Sequence, residues 1–248
     1  MRSQPAPSMK PADEFWRHGK CPYLGEKASL THYRIYLDAS LTIFQHHLEE
    51  GWRRFGPLFF RPECPGCNKC ESLRIDLANF SYSRSQRRNL RRNADLTLQL
   101  SRLQLTQAHL DLFARFHAYR ATTRGWDGGS ITPHEYWGQF VAAGGVFGWE
   151  ARYYDGERLI CVDLFDVGED GISAVYCYWE PEAAHRGLGH YSLLMQIDLA
   201  RKINRRYLYL GYGVRENASL TYKFSYAPLQ RLEAYPNEGE MPNWVALN

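Results

Sequence analysis

No run of 18 or more apolar residues occurs in the 248-residue chain, which excludes a membrane-spanning helix. The opening stretch MRSQPAPSMKPADE lacks the apolar segment of a secretory signal and reads as a disordered tail over residues 1–14. No internal repeat is visible, and no low-complexity block follows the tail. Net charge is scarce too. Thirty Lys and Arg against 27 Asp and Glu leave +3, which argues against a protein that coats nucleic acid through bulk charge. Cysteine is present without the pattern of a secreted disulfide framework. Six cysteines, three of them crowded into residues 64–70 and none behind a signal, point to a reducing compartment, with the cytoplasm expected.

What is present is an ordinary soluble composition, 44% hydrophobic and 23% charged, with 15% aromatics and 17 tyrosines. The length suits one large domain or two small ones. DASLTIFQHHLEEG (38–51) predicts a helix capped by Asp38 or Ser40 and stopped by Gly51, with Leu41, Phe44 and Leu48 as its stripe. LRIDL (73–77) alternates like a strand, and 105–120 predicts a second helix. Residues 122–133, TTRGWDGGSITP, read as a loop of functional length. From about residue 145 come VFGWEARYYDG, ERLICVDLFDVGEDG and ISAVYCYWEP, β-prone runs separated by Asp-Gly turns. The loop HRGLG, a helix over 190–204, the strand YLYLGYGV and a last strand near 229–235 complete the pattern. This order predicts an α+β layer fold. We expect a tail over 1–14, an N-terminal domain over 15–100 that carries the cysteines, and a second domain over 101–240.

Positive charge is concentrated at one place. In SYSRSQRRNLRRNADL, the five residues Arg84, Arg87, Arg88, Arg91 and Arg92 fall at i, i+3, i+4, i+7 and i+8, one face of a helix. Ser83 and Gln86 form a capping box at its start. A solvated charged face is the plain reading. Five guanidinium groups sharing one face repel one another, however, and such a face calls for an anionic partner. Arginine suits phosphate because its fork donates two hydrogen bonds at once. Three or four such contacts predict a salt slope of roughly −2 to −3.

A second cluster is RPECPGCNKC, where Cys64, Cys67 and Cys70 stand as C-x2-C-x2-C. Two residues between thiolates let one turn of backbone aim both sulfurs at one ion, with Cys21 in KCPYLG as the fourth candidate. Zinc, an iron–sulfur cluster and free thiols on a turn all remain open. Cys161 and Cys177 fall in core strands and read as inert thiols.

HRGLGHY resembles the R-x-x-G-x-G/A loop with which GNAT-fold acetyltransferases hold the pyrophosphate of coenzyme A. Arg186 and Gly189 fit that pattern, whereas Tyr191 stands where a small residue belongs, which suggests the same fold with that site repurposed. In order, CPYL, GWRRFG, RPECPGCNKC, SRSQRRNLRRNADL, ISAVYCYWEP, LGHYSLLMQI, YLYLGY and the YK before Pro228 resemble the bacterial branch of the arginyl-tRNA–protein transferase family, the aspartate/glutamate leucyltransferases. The resemblance runs from about residue 21 to 232. It implies a cysteine-bearing N-terminal domain joined to a GNAT-like catalytic domain. It also implies transfer of leucine (arginine in the eukaryotic branch) from its tRNA to the N-terminal amine of proteins beginning with Asp or Glu, as a degradation signal. No organic cofactor is implied.

Ser83 to Arg88, Asn93 to Leu96, Asp166, Ser173 to Tyr176, Tyr209 to Tyr212 and Tyr222-Lys223 match the family pattern, while 213–221 and 124–131 depart from it in segments expected to line the pocket. An aminoacyl ester is already activated, so the enzyme need supply only position, a proton acceptor and oxyanion stabilisation. Asp166 is the expected orienter or base for the amine, with a buried structural carboxylate as the alternative. Tyr176 or Tyr212 is the expected donor to the oxyanion or the leaving oxygen, against a core tyrosine. Lys223 is expected at a terminal phosphate or the acceptor's acidic side chain, against a surface lysine. Arg84, Arg87, Arg88 and Arg91 are expected on tRNA phosphates. Two rival readings are an acetyl-coenzyme A acetyltransferase and a non-catalytic, metal-stabilised RNA-binding module.

Overall fold

Two sheets of unequal size carry the chain in the computed structural model, which describes residues 10–25, 27–126, 128–237 and 239–247. Residues 1–9 of the expected tail, and Asp127 of the glycine-rich loop, lie outside the described residues. The smaller sheet is antiparallel, in the order β1 (Asp13–Lys20), β2 (Ala28–Ile35), β4 (Leu58–Pro62), β3 (Arg53–Phe55). Sequence reading foresees none of its strands, and its expected tail overlaps the first two residues of β1. The reason is physical: β1 is exposed on nearly every side chain, so it carries no alternation of apolar and polar positions. Helix α1 (Leu41–Glu49) lies between β2 and β3 in sequence. Of the two expected caps Ser40 serves, its hydroxyl accepting from Ile43 N at 3.2 Å. Phe44, Leu48, Trp52 and Phe59 form this sheet's core together with Phe147, Tyr207 and Tyr209 from the second half.

The larger sheet has the order β12 (Trp244–Leu247), β11 (Leu229–Leu232), β5 (Glu71–Asp76), β10 (Tyr207–Gly213), β9 (Gly171–Trp179), β8 (Arg158–Val167), β7 (Gly148–Asp155), β6 (Thr97–Arg102). All pairings are antiparallel except β9 with β10. Helix α3 (Gln107–Arg124) covers one face, packing Leu112, Phe113 and Phe116 on Val162, Leu164 and Tyr178. Helix α5 (Leu188–Lys202) covers the other, burying Leu188, Leu194 and Ile197 against Leu73, Phe165 and Leu208. Between them in sequence comes the short α4 (Pro133–Tyr136), boxed by Thr132 and Glu135. The mixed sheet with flanking helices is the α+β architecture expected from the sequence.

The span 15–100 divides differently from the expected N-terminal domain. Strand β5, buried at five of its six positions, lies between β11 and β10 in the larger sheet, and helix α2 (Arg84–Arg92) packs on α5. A strand buried on both faces needs a neighbour on each side and a helix over it, which only the larger sheet supplies.

Two irregularities open the sheet at one place. Strands β9 and β10 pair only through Tyr207–Gly171, Leu208–Ile172 and Tyr209–Ser173, then diverge. Strand β9 shifts register against β8 between Leu164 and Phe165, which leaves Val175 as the extra residue. Strand β10 shifts against β5 at Leu210, just before Gly211, whose φ of +76° favours glycine.

A cationic cavity between diverging strands

A cavity of about 450 Å³ occupies the gap. Its walls are Ser173 to Cys177 of β9, Leu210 to Tyr212 of β10, the start of α5 from Gly187, and Arg53 and Phe55 of β3. The bulge at Val175 is what lets consecutive β9 residues reach the same space. Charge in the lining is lopsided: Arg53, Arg54, Arg120, Arg124 and Lys223 against the single carboxylate of Asp163.

Asp163 was not singled out in the sequence. It is 2% exposed, and its one side-chain hydrogen-bond partner among the described residues is Gln196 of α5, which donates through Nε2 at 2.8 Å. Burial pushes its carboxyl up to about 7, with Gln196 pulling weakly the other way. A carboxyl that titrates near neutrality inside a cavity is suited to take a proton from an amine. The residue foreseen for that task, Asp166, is not in the cavity. It is 1% exposed and clamped by Arg54, Nη2 to Oδ1 at 2.5 Å and Nε to Oδ2 at 2.9 Å. Both oxygens are engaged, so the structure gives Asp166 the place of a buried structural carboxylate that fixes β3 to β8. A signal for Asp163 did exist. Ser192 and Gln196, two buried polar residues one turn apart on the apolar face of α5, require a polar partner opposite.

Tyr176 lines the cavity, its hydroxyl 2.9 Å from His117 Nε2. Burial pushes its phenol above the usual range, so it stays protonated and able to donate. Tyr212 lines the cavity with its ring only. Its hydroxyl points at two backbone carbonyls, Gly51 O at 2.9 Å and Phe60 O at 3.0 Å, and so ties the two sheets together instead of serving an oxyanion. Lys223 is in the cavity and donates to Tyr212 O at 2.8 Å. Burial and the neighbouring Arg53 pull its ammonium down to about 7.

The arginine helix forms as read, with Ser83 and Gln86 in a reciprocal capping box. Arg84, Arg87, Arg88, Arg91 and Arg92 are all exposed, and Gln86, Asn89, Leu90 and Asn93 face inward. The inward face places the ridge at the cavity's edge. Asn89 and Asn93 donate to Arg186 O at 3.0 and 3.1 Å, Asn89 reaches Gly187 O at 3.3 Å, and Gly187 lines the cavity. Arg92 donates to His185 O at 2.7 Å. Arg186 itself is held by Asp95 at 2.9 Å and Asp155 at 3.3 Å, while Tyr191 turns into the core against Tyr153. Neither residue is free to hold a coenzyme A diphosphate.

Cys21, Cys64, Cys67 and Cys70 are reduced and share one neighbourhood. Burial, then the thiols of Cys21, Cys64 and Cys67, push the Cys70 thiol up to about 12. Leu30 N donates to Cys64 Sγ at 3.3 Å. The donors are of the right chemistry for zinc or an iron–sulfur cluster, yet among the described residues no three His, Cys, Asp or Glu gather closely enough to hold a metal. No described helix is long and apolar enough to cross a membrane.

The comparisons with known proteins agree with this geometry. Residues 19–88 match the N-terminal part of the arginine-tRNA-protein transferase family and residues 108–233 its C-terminal part. An aspartate/glutamate leucyltransferase of Campylobacter jejuni subsp. jejuni serotype O:6 is 37% identical over 223 residues, covering 88% of this chain and 93% of its own. Those of Helicobacter hepaticus and Halorhodospira halophila are 33% and 37% identical, over 95% and 84% of this chain and 98% and 89% of theirs. Among solved structures, FemX shares 9% identity over 73% of this chain and 63% of its own, with a TM-score of 0.48. With both family parts matched in order and relatives aligned almost end to end, the chain belongs to the arginine-tRNA-protein transferase family.

Proposed function

We propose that this enzyme transfers leucine from leucyl-tRNA to the N-terminal amine of proteins that begin with Asp or Glu. The observation that carries the reading is Asp163: a carboxyl with a pKa near 7, in a cation-lined cavity whose edge continues into an exposed arginine helix. The 3′ end of the tRNA enters beside α2, and Arg84, Arg87, Arg88 and Arg91 hold phosphates of the acceptor arm. The acceptor's amine gives up a proton to Asp163 and attacks the ester carbonyl. Tyr176 donates to the oxyanion, and as the intermediate collapses the ribose oxygen leaves with a proton, yielding a peptide bond and uncharged tRNA. An N-terminal amine has a pKa near 8, so its deprotonation at neutral pH costs only about 1 kcal/mol, within the capacity of such a base.

Cys21, Cys64, Cys67 and Cys70 are proposed as ligands of a structural zinc ion or iron–sulfur cluster that steadies the small sheet, with no step of the transfer passing through it. Metal and sulfide analysis of anaerobically purified protein tests this, and fewer than about 0.1 equivalent of any metal would refute it. The transfer itself is tested by incubating the protein with labelled leucyl- or arginyl-tRNA and peptides beginning Asp, Glu, Lys or Arg. Label should move from leucyl-tRNA to the Asp and Glu peptides. Movement to neither would sink the reading.

A further inference from the structure

The sequence places two arginines side by side, and the structure treats them in opposite ways. Arg54 presents its Nε–Nη2 edge to Asp166 in a bidentate pair. Arg53, at the start of β3, is 8% exposed, and among the described residues its side chain makes one hydrogen bond, from Nη1 to Trp52 O at 2.6 Å. Its own Nε and Nη2, the same edge that Arg54 uses, are buried with no partner. Around them stand the rings of Tyr209 and Tyr212, with centroids 5.8 and 5.7 Å from the guanidinium carbon, and among the described residues no carboxylate pairs with it. A desolvated fork left unsatisfied is costly, and native interiors rarely keep one without a use.

A second cation meets it at Gly211. A β-carbon built on that glycine would stand 3.5 Å from Arg53 Nε and 3.6 Å from Lys223 Nζ, so both nitrogens converge on one point of the cavity wall. The positive φ of Gly211 excludes a side chain that could intrude between them. Lys223 has lost much of its affinity for a proton through burial and through Arg53, the behaviour of a cation facing another cation without an anion between them.

We propose that Arg53 and Lys223 form the receptor for the side-chain carboxylate of the acceptor's first residue, Arg53 binding it bidentately through Nε and Nη2 and Lys223 closing over it from Gly211. This rests on the transferase reading above and adds the element that selects Asp and Glu. The Arg54–Asp166 pair, one residue away, displays the geometry the complex would take. A planar carboxylate fits a flat fork walled by two tyrosine rings and a glycine. A phosphodiester, bulky and continued on both sides, suits the open ridge of α2 better.

The test compares peptides beginning Asp, Asn, Glu and Gln in two assays, equilibrium binding to the full-length protein without tRNA and leucine transfer from leucyl-tRNA. Wild type should bind Asp over Asn and Glu over Gln by at least roughly 100-fold, as a desolvated ionic contact gives. Arg53→Met should bring both ratios to within about threefold of unity while leucyl-tRNA binding stays within about twofold, and Arg53→Lys should restore part of the preference. Lys223→Met should lower both ratios by about tenfold. A wild-type preference for Asp that persists undiminished in correctly folded Arg53→Lys, or one well above threefold in Arg53→Met judged folded by its melting curve, overturns the proposal. So does a loss of tRNA affinity that equals the loss of transfer, which would make the anion a phosphate. Preferential binding of Asp by wild type, abolished in Arg53→Met but accompanied by no transfer, would uphold the carboxylate receptor and overturn the transferase reading.

Discussion

Asp163 and Asp166 lie three residues apart on one strand, and Arg53 and Arg54 are adjacent on another. Asp166 and Arg54 satisfy each other in the core; Asp163 and Arg53 face the cavity, and neither is paired with an opposite charge among the described residues. The same residue types thus do two jobs. A paired buried charge joins β3 to β8, and an unpaired one stores electrostatic potential that a substrate can neutralise. The comparison shows that type and spacing do not reveal a catalytic carboxylate. Under the proposed function, the carboxylate left without a counter-charge is the one placed to act.

The largest break in this comparison should come from Asp163→Asn. Removing the proton acceptor should lower kcat by about 100- to 10,000-fold with tRNA binding intact, as measured by single-turnover transfer. A loss below tenfold would move the base elsewhere. Asp166→Asn should act on the fold instead, leaving Arg54 buried and unpaired at a cost of about 3–5 kcal/mol in chemical denaturation, with residual activity in whatever protein remains folded.

The pH dependence of stability sharpens the contrast. The Asp163 carboxyl is raised from 3.8 in the unfolded reference to about 7 in the fold, so the native protein holds a proton that the unfolded chain releases. Its contribution is fully present below about pH 4 and is lost as pH rises through 7. Asp163→Asn should abolish that decline, gaining on the order of 2–4 kcal/mol over wild type near pH 8. Lys223 works in the opposite sense. Lowered from 10.5 to about 7, it makes folding more favourable as pH climbs through that interval. Activity should rise with pH through the region near 7 as Asp163 ionises, a limb missing in a variant that lacks it.

A smaller effect concerns the ridge. Arg87→Ala with Arg88→Ala should flatten the salt slope of tRNA binding by about 2 and weaken binding alike for charged and uncharged tRNA. An unchanged slope would remove α2 from the interface.

Much of this was legible in advance. The capping box at Ser83, the arginine face, the strand runs after residue 145 and the helix after HRGLG all form within a residue or three of their sequence bounds. They are local features, written in i, i+3, i+4 spacing or in alternation with turn residues. The small sheet was not legible, because β1 faces water along nearly its whole length and β2 is half-buried at most positions, so neither alternates cleanly. Nor was the membership of β5, whose neighbours β10 and β11 arrive more than 130 residues later in the chain.

By itself, the sequence determined the caps, the helical faces, the hairpin turns and the family pattern, since each depends on residues within a few positions of one another. Only the tertiary structure decided which aspartate is free and which arginine is unpaired. Pairing of buried charges depends on approach through space: β3 crossing to β8 gives Arg54 its carboxylate, and the divergence of β9 from β10 leaves Asp163 and Arg53 without one.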